Sequence, residues 1–266
     1  MTSISDVKSK GFKRKWHFLW SSECQSNDPV MPRANRFYIP GGVWHITHRC
    51  HNKDFLLKFE RDRLRWKHWL FQARKRYGLC VLNYIATSNH IHLLVKDTQE
   101  NAISKSMQLI SGRIGQEYNQ RKTRKGAFWE DRYFATAVCS ASHLFKCLVY
   151  IDLNMVRAGV VAHPSQWRVS GYNEIQSPPD RYRIIDLEAL ITLGQFADHA
   201  TLASHHQRWV ERSLSQQKTD REPAWTESIA VGPQKFVMDM QARLGLRTLY
   251  RSIRKVSPHT FVIKDA

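Results

Sequence analysis

The stretch LCVLNYIATSNHIHLLVK, residues 79–96, holds two strand patterns with a turn between them. LCVLNYIAT (79–87) is almost wholly apolar, the composition of a strand covered on both faces. HIHLLVK (90–96) reads as a second strand, and the short Ser88-Asn89 connection makes the two a hairpin. Strand positions two apart project from one face, so His90 and His92 stand side by side while Ile91, Leu93 and Val95 fill the opposite face. Outward from this hairpin, VWHITHR (43–49) has strand character. Residues 60–77 are charged and aromatic without Pro or Gly, which predicts a helix ending at Gly78. Residues 101–121 read as helix, RYFATAVC (132–139) as strand, and 141–157 as a helix stopped by Gly159. The order β-α-β-β-α-β, followed by a further helix, is the split βαβ, ferredoxin-like arrangement of an α+β fold.

Composition narrows the partner. The chain has 266 residues, with 41 Lys plus Arg against 23 Asp plus Glu, a net charge of +18. A surface that basic concentrates polyanions, so nucleic acid is the first partner to consider. The charge is uneven: residues 31–176 hold 23 basic and 10 acidic side chains, which marks that segment as the polyanion-binding part. No apolar run approaches the roughly 18 residues of a membrane helix. Cysteines 24, 50, 80, 139 and 147 form no CxxC pair, which favours reduced thiols and a cytoplasmic setting. Residues 1–31 read as a basic flexible tail, with Met31 a candidate start of the functional domain. The main domain spans 32–176 and gives way at Ser177-Pro178-Pro179-Asp180 to a mainly helical extension, 177–266, of unassigned role. Within it, residues 225–245 read as a turn and a helix, and RTLYRSIRK (247–255) as a basic stretch.

Three features can carry chemistry. His90 and His92 can hold a divalent cation if a third ligand arrives from another element, though an HxH alone is more often two surface histidines. Tyr150 and Asn154 lie one helical turn apart, on a stripe shared with His143, Lys146 and Arg157. That stripe suits a cleft that handles phosphate; the plainer alternative is a core tyrosine with its hydroxyl at the edge. The loop 119–131 sets Arg121, Lys122, Arg124 and Lys125 before the aromatics Phe128 and Trp129. Cations that track a backbone beside rings that stack on bases suit single-stranded nucleic acid, while a solvated charge run ahead of core aromatics reads equally well.

Together the pieces resemble the REP-associated tyrosine transposases, single-tyrosine enzymes akin to those of small bacterial insertion sequences. PGGVWHITHR (40–49), NHIHLLV (89–95), GAFWEDRY (126–133) and YIDLNMVRAGVV (150–161) carry the resemblance, which covers a little over half the chain. It implies an HUH nuclease with His90 and His92 as metal ligands, Asn154 as the third, and Tyr150 as nucleophile. It further implies Mg²⁺ or Mn²⁺ as cofactor. The expected reaction cleaves and rejoins hairpin-bearing single-stranded DNA through a covalent 5′-phosphotyrosine. Arg121, Lys122, Arg124, Lys125, Trp129, Lys146 and Arg157 would be its DNA contacts. A nucleoid-associated protein acting as a monomer or homodimer is the matching cellular picture, with no membrane partner. Two positions depart from the usual pattern: Met155 stands where such proteins carry Pro, and Ser88 where they carry Pro before Asn-His. Tyr118, in a basic helix, is the reserve nucleophile, but Lys122 and not an amide lies four residues on.

Other readings stay open at this level. An RRM-like RNA-binding module shares the element order and the charge, but should show aromatics where His90 and His92 stand. A zinc hydrolase lacks support, since histidines 45, 48, 51, 205 and 206 form no HExxH or related motif. A domesticated protein that binds DNA hairpins without mobilising itself would keep the same residues.

Overall fold

Strand β1 (Val43–Arg49) is the spine of the sheet. The computed structural model describes residues 39–139, 142–216 and 221–265, so the expected tail over 1–31 lies outside the described residues. After β1 come α1 (Glu60–Tyr77), β2 (Cys80–Ala86), β3 (His90–Lys96), α2 (Ala102–Arg121) and β4 (Phe134–Val138). Gly78 ends α1 as its sequence predicts. At φ +62° it adopts the left-handed conformation that a Cβ disfavours, and its N–H donates to the Arg74 carbonyl at 3.0 Å. The four strands lie in the order β2-β3-β1-β4, every pair antiparallel. This is the ferredoxin-like sheet.

Register decides which face each residue takes. Thr47 sits opposite His92, Arg49 opposite His90 and His45 opposite Leu94, so these side chains share one face. The other face carries Trp44, Ile46, Ile91, Leu93 and Val95 beneath α1 and α2, with Trp66 of α1 6.2 Å from the ring of Tyr84. All seven residues of β2 are buried, in keeping with cover on both sides.

The histidine face is roofed by α3 (Ser142–Asp152), followed by the single turn α4 (Asn154–Arg157). Asn83 of β2 donates its amide to the Leu148 carbonyl at 3.1 Å and to Asp152 Oδ1 at 3.0 Å, which ties α3 to the sheet. Then follow α5 (Tyr172–Gln176), α6 (Leu187–Gly194) and α7 (His199–Ser215). From α7, His206 Nε2–H donates to Asp152 Oδ2 at 2.7 Å, both side chains being fully buried.

The C-terminal part is helical in its first half and then returns to the sheet, which its sequence did not predict. After α8 (Ala224–Glu227), β5 (Ala230–Gly232) pairs parallel with β4. Beyond α9 (Gln234–Leu244), β6 (Arg251–Ser257) and β7 (Thr260–Asp265) form a hairpin, extending the order to β2-β3-β1-β4-β5-β7-β6.

Gly171 precedes α5 where it crosses β2, and its N–H donates to the Tyr84 carbonyl at 2.7 Å. A Cβ there would overlap Asn83 Oδ1 and lie 2.8 Å from Ile185 Cδ1. Gly171→Ala should therefore cost about 1–3 kcal/mol by overpacking. Gly112→Ala, at a position in α2 with nothing within 4 Å of the new Cβ, should gain up to about 1 kcal/mol in helix propensity. Thermal melts of the two variants should move in opposite directions.

Candidate active site

Backbone alternation puts His90 and His92 on the face roofed by α3, with ring centroids 4.9 Å apart. His90 Nδ1 lies 2.7 Å from Asn89 Oδ1, and a carboxamide oxygen only accepts, so Nδ1 carries the proton and Nε2 keeps its lone pair. His92 is fixed by a longer chain of contacts. His45 Nδ1 lies 2.8 Å from the Trp225 carbonyl oxygen, so it is the donor there. His45 Nε2 then accepts from His92 Nδ1–H at 2.9 Å, the two rings lying edge to edge with centroids 5.0 Å apart and planes tilted by 13°. This leaves the bare Nε2 of His92 facing the Asn154 amide, whose Nδ2–H donates to it at 2.9 Å. Both imidazoles thus hold their Nδ1 protons in supporting contacts and turn their Nε2 lone pairs outward from them, the arrangement a metal-binding imidazole needs.

The helix expected over 141–157 is two pieces. Leu153, at φ −76° and ψ 2°, interrupts it between α3 and α4 without any proline. The Leu153 N–H still reaches the Val149 carbonyl at 3.0 Å and the Arg157 N–H the Leu153 carbonyl at 2.9 Å, so Asn154 stays on the turn after Tyr150. The Tyr150 ring stands edge-on to His45 and His92, 6.1 Å from each. Arg157 spans Tyr150: its guanidinium lies 4.0 Å from the ring centroid, and Nη2 donates to the Tyr150 carbonyl at 2.6 Å. Trp225 closes the remaining side with its ring 6.3 Å away.

Burial governs the electrostatics. It lowers His45 and His90 from their ordinary value to about 4, and the cations Arg49 and Arg157 push His90 the same way. His92 lies well below the usual range, chiefly through burial and then through its neighbours His90 and His45. All three are neutral imidazoles at pH 7. The Tyr150 phenol is raised by burial, against which Arg157 works to lower it. Among the described residues, no group of three or more His, Cys, Asp or Glu side chains is arranged to hold a metal ion. The donor set that fits one is two neutral imidazoles and, once its amide turns its oxygen inward, Asn154.

The remaining sequence candidates spread over two regions. Lys146 is exposed on α3, one turn before Tyr150. Tyr118 lies on α2, across the sheet from His90 and His92, with its ring 5.0 Å from that of Phe128. Arg121 pairs with Asp62, Lys122 and Lys125 are exposed, and Arg124 Nη1 donates to Asn119 Oδ1 at 3.1 Å. The loop after α2 runs beside the end of β1: Glu130 N–H donates to the Arg49 carbonyl at 3.0 Å and His51 N–H to the Phe128 carbonyl at 2.9 Å. Arg49 is the partner of His90, so this loop flanks the histidine end of the sheet. Phe128 corrects the expectation that it stacks on bases: at 3% exposure it is a core residue. Trp129 is half-buried, stacked on His48 at 4.1 Å, with its Nε1–H donating to the Ser111 carbonyl at 3.1 Å. Sequence reading missed His45 and Trp225. The available signal was that His45 shares its strand parity with Thr47 and Arg49.

Residues 41–154 match the family described as Transposase IS200 like, a span that opens just before β1 and closes on Asn154. This segment belongs to the IS200-like transposase family. The match supports a transposase function for this segment. The chain is similar to a solved REP-associated tyrosine transposase bound to a REP hairpin, with 18% identity, a TM-score of 0.43, and coverage of 60% of this chain and 96% of that one. It is also similar to a crystal structure of a putative transposase from Deinococcus radiodurans R1, with 13% identity, a TM-score of 0.33, and coverage of 48% and 97%. No curated protein matches the chain. No described helix is long and apolar enough to cross a membrane.

The buried neutral histidines give the protein an acid limit. His45 titrates near 6.5 when unfolded and at about 4 when folded, so the unfolded chain binds the proton first. Its contribution to stability is complete above pH 6.5 and is lost as pH falls toward 4, at about 1.4 kcal/mol per pH unit. Denaturant melts in EDTA between pH 7 and 4.5 should show this fall, and His45→Gln should make it shallower by the share of one histidine, the part due to His90 and His92 remaining.

Proposed function

We propose that the protein is a REP-associated type of single-tyrosine transposase that cuts and rejoins single-stranded, hairpin-bearing DNA. The observation that carries this reading is that Asn154 meets His92 Nε2 while the Tyr150 ring, one turn earlier, stands edge-on to the same imidazole. In the proposed reaction the Tyr150 phenolate attacks a backbone phosphorus, a Tyr–O–P bond forms, and the P–O3′ bond breaks. The DNA 5′ phosphate stays on the protein, and the departing 3′ oxygen takes a proton. Because the phosphoester link is conserved, the reverse attack by a 3′ hydroxyl restores the strand and frees the tyrosine. Arg157 positions the ring by lying across it and favours the charged phenolate. His90, His92 and Asn154 would hold Mg²⁺ or Mn²⁺, which when bound supplies Lewis-acid polarisation of the scissile phosphate. The His45 and Trp225 side of the cleft excludes water from the tyrosine.

Tyr150 is favoured over Tyr118 because the sheet lies between Tyr118 and both histidines. An RRM-like reading finds no support, since the face an RNA would stack on is roofed by α3. Lys122, Lys125 and Lys146 are the exposed cations we assign to the DNA backbone, with Arg121 and Arg124 beside them.

Tyr150→Phe keeps the ring and removes the attacking oxygen. It should abolish the covalent protein–DNA adduct on denaturing gels with little change in melting temperature, whereas Tyr118→Phe should retain the adduct. Replacing His90 and His92 by Ala should abolish cleavage and spare hairpin binding. An adduct that persists in Tyr150→Phe, or full cleavage in EDTA, would sink the assignment.

Neutralising Arg121, Lys122, Arg124 and Lys125 together should weaken binding to all sequences. The slope of log K against log salt should become shallower by about 0.7 for each single-strand phosphate that no longer has a cation beside it. The position of the cut should not move. Binding measured across a range of salt concentrations decides this, with linear duplex as competitor; a duplex that competes as well as a hairpin with a single-stranded flank removes the hairpin substrate.

A further inference from the structure

Trp225 lies 71 positions beyond the end of the family match, yet its carbonyl touches the centre of the site. That carbonyl accepts from His45 Nδ1–H at 2.8 Å. The segment that carries it is itself fastened: Thr136 Oγ1–H of β4 donates to the Ser228 carbonyl at 2.6 Å, and Trp225 Nε1–H donates to Glu222 Oε2 at 2.8 Å. Ala137 N–H reaches the Ile229 carbonyl at 2.7 Å, so the whole turn is docked on the edge of β4. His45 is fully buried, and its remaining ring nitrogen meets His92 Nδ1.

We propose that His45 is a positioning residue of the cleavage site, and that the Trp225 carbonyl, supplied by the C-terminal segment, sets it. The logic is a forced sequence of donors and acceptors. A carbonyl cannot donate, so His45 places its proton on Nδ1 and presents Nε2 as an acceptor. Only one proton fits between two ring nitrogens 2.9 Å apart, so His92 Nδ1 supplies it and His92 Nε2 stays bare. The two rings lie edge to edge with their planes tilted by only 13°, so the hydrogen bond between them sets the plane of the His92 ring as well as its tautomer. The lone pair that a divalent cation would use is therefore aimed from outside the family segment. Residues 224–228 complete the site and are not an appendage to it. This inference rests on the proposed metal-dependent cleavage.

Two readouts on the full chain test it. With no metal present, ¹⁵N-detected NMR of the histidine rings should give His92 as the Nδ1–H tautomer. His45→Leu should shift His92 toward Nε2–H. His45→Gln, whose amide can donate to the carbonyl and accept from His92, should restore the original tautomer. With Mn²⁺ alone as the probe, calorimetric affinity should fall about tenfold or more in His45→Leu, the effect usual for a support of a metal-binding histidine, and recover in His45→Gln. His45→Phe repeats the apolar test with a ring of similar volume in case the Leu variant does not fold. An unchanged His92 tautomer in the apolar variants, a loss of affinity below about tenfold, or equal loss in the Gln variant would overturn the role of His45. His90→Ala separates the two claims: if it binds Mn²⁺ like the unmodified chain, the metal reading fails, and the metal-free tautomer measurement still judges His45.

Discussion

Asn83 donates one amide group to the Leu148 carbonyl and to Asp152, and its own oxygen accepts from the Tyr84 N–H at 2.8 Å. Through this contact α3 is set on the sheet. The Asp152 carboxylate is completely buried, and its other oxygen is met by His206, whose far nitrogen accepts from Gln176 Nε2–H at 2.8 Å. A buried carboxylate left without these donors would cost several kcal/mol, on the order of 3–5 for a broken buried pair. The knot joins β2, α3, α5 and α7, and Tyr150 and Asn154 inherit their places from it. A small rotation of α3 would carry the phenol and the amide away from His92 together.

The roof and the floor of the site come from different kinds of constraint. The floor is set by strand alternation and cross-strand register, which admit no intermediate positions: a slip of one residue would turn His90 and His92 into the apolar layer. The roof is set by polar contacts with specific directions. The same sheet divides the molecule's surface by function, since α2 and its Tyr118 lie on the side away from the histidines. The loop that follows α2 turns back past Arg49 toward the histidine end.

Much of this was legible in the sequence because local rules decided it. The β3 strand, its two histidines and the stop at Gly78 follow from alternation and from one left-handed residue. The fourfold spacing of Tyr150 and Asn154 survives the break at Leu153 because backbone hydrogen bonds carry the helical turn across it. The break stands although position 155 is Met and not Pro, and Met155 is buried there. What escaped was non-local. Strand β5 is three residues long, and β6 is an exposed edge strand, RSIRKVS, with no apolar alternation to mark it. Phe128 and Trp129 look alike in sequence as stacking platforms, yet packing against Tyr118 and His48 engages both. His45 reads as one histidine among 13 until the strand pairing brings it to His92.

The parallel junction of β4 with β5 has a consequence for how the protein comes into being. His45 and Trp225 are separated by 180 positions, so the bond between them closes one of the largest loops the chain can form. A polypeptide growing from its N-terminus presents β1 to β4 long before β5 exists, and for that interval β4 is a bare edge open to pairing with any other strand. When α8 and β5 follow, they cover that edge and seat the His45 imidazole in the same event. Completion of the candidate site is thus tied to the arrival of residues 224–232, and a chain stopped before them would hold the histidine pair and the tyrosine without the Trp225 carbonyl that His45 meets.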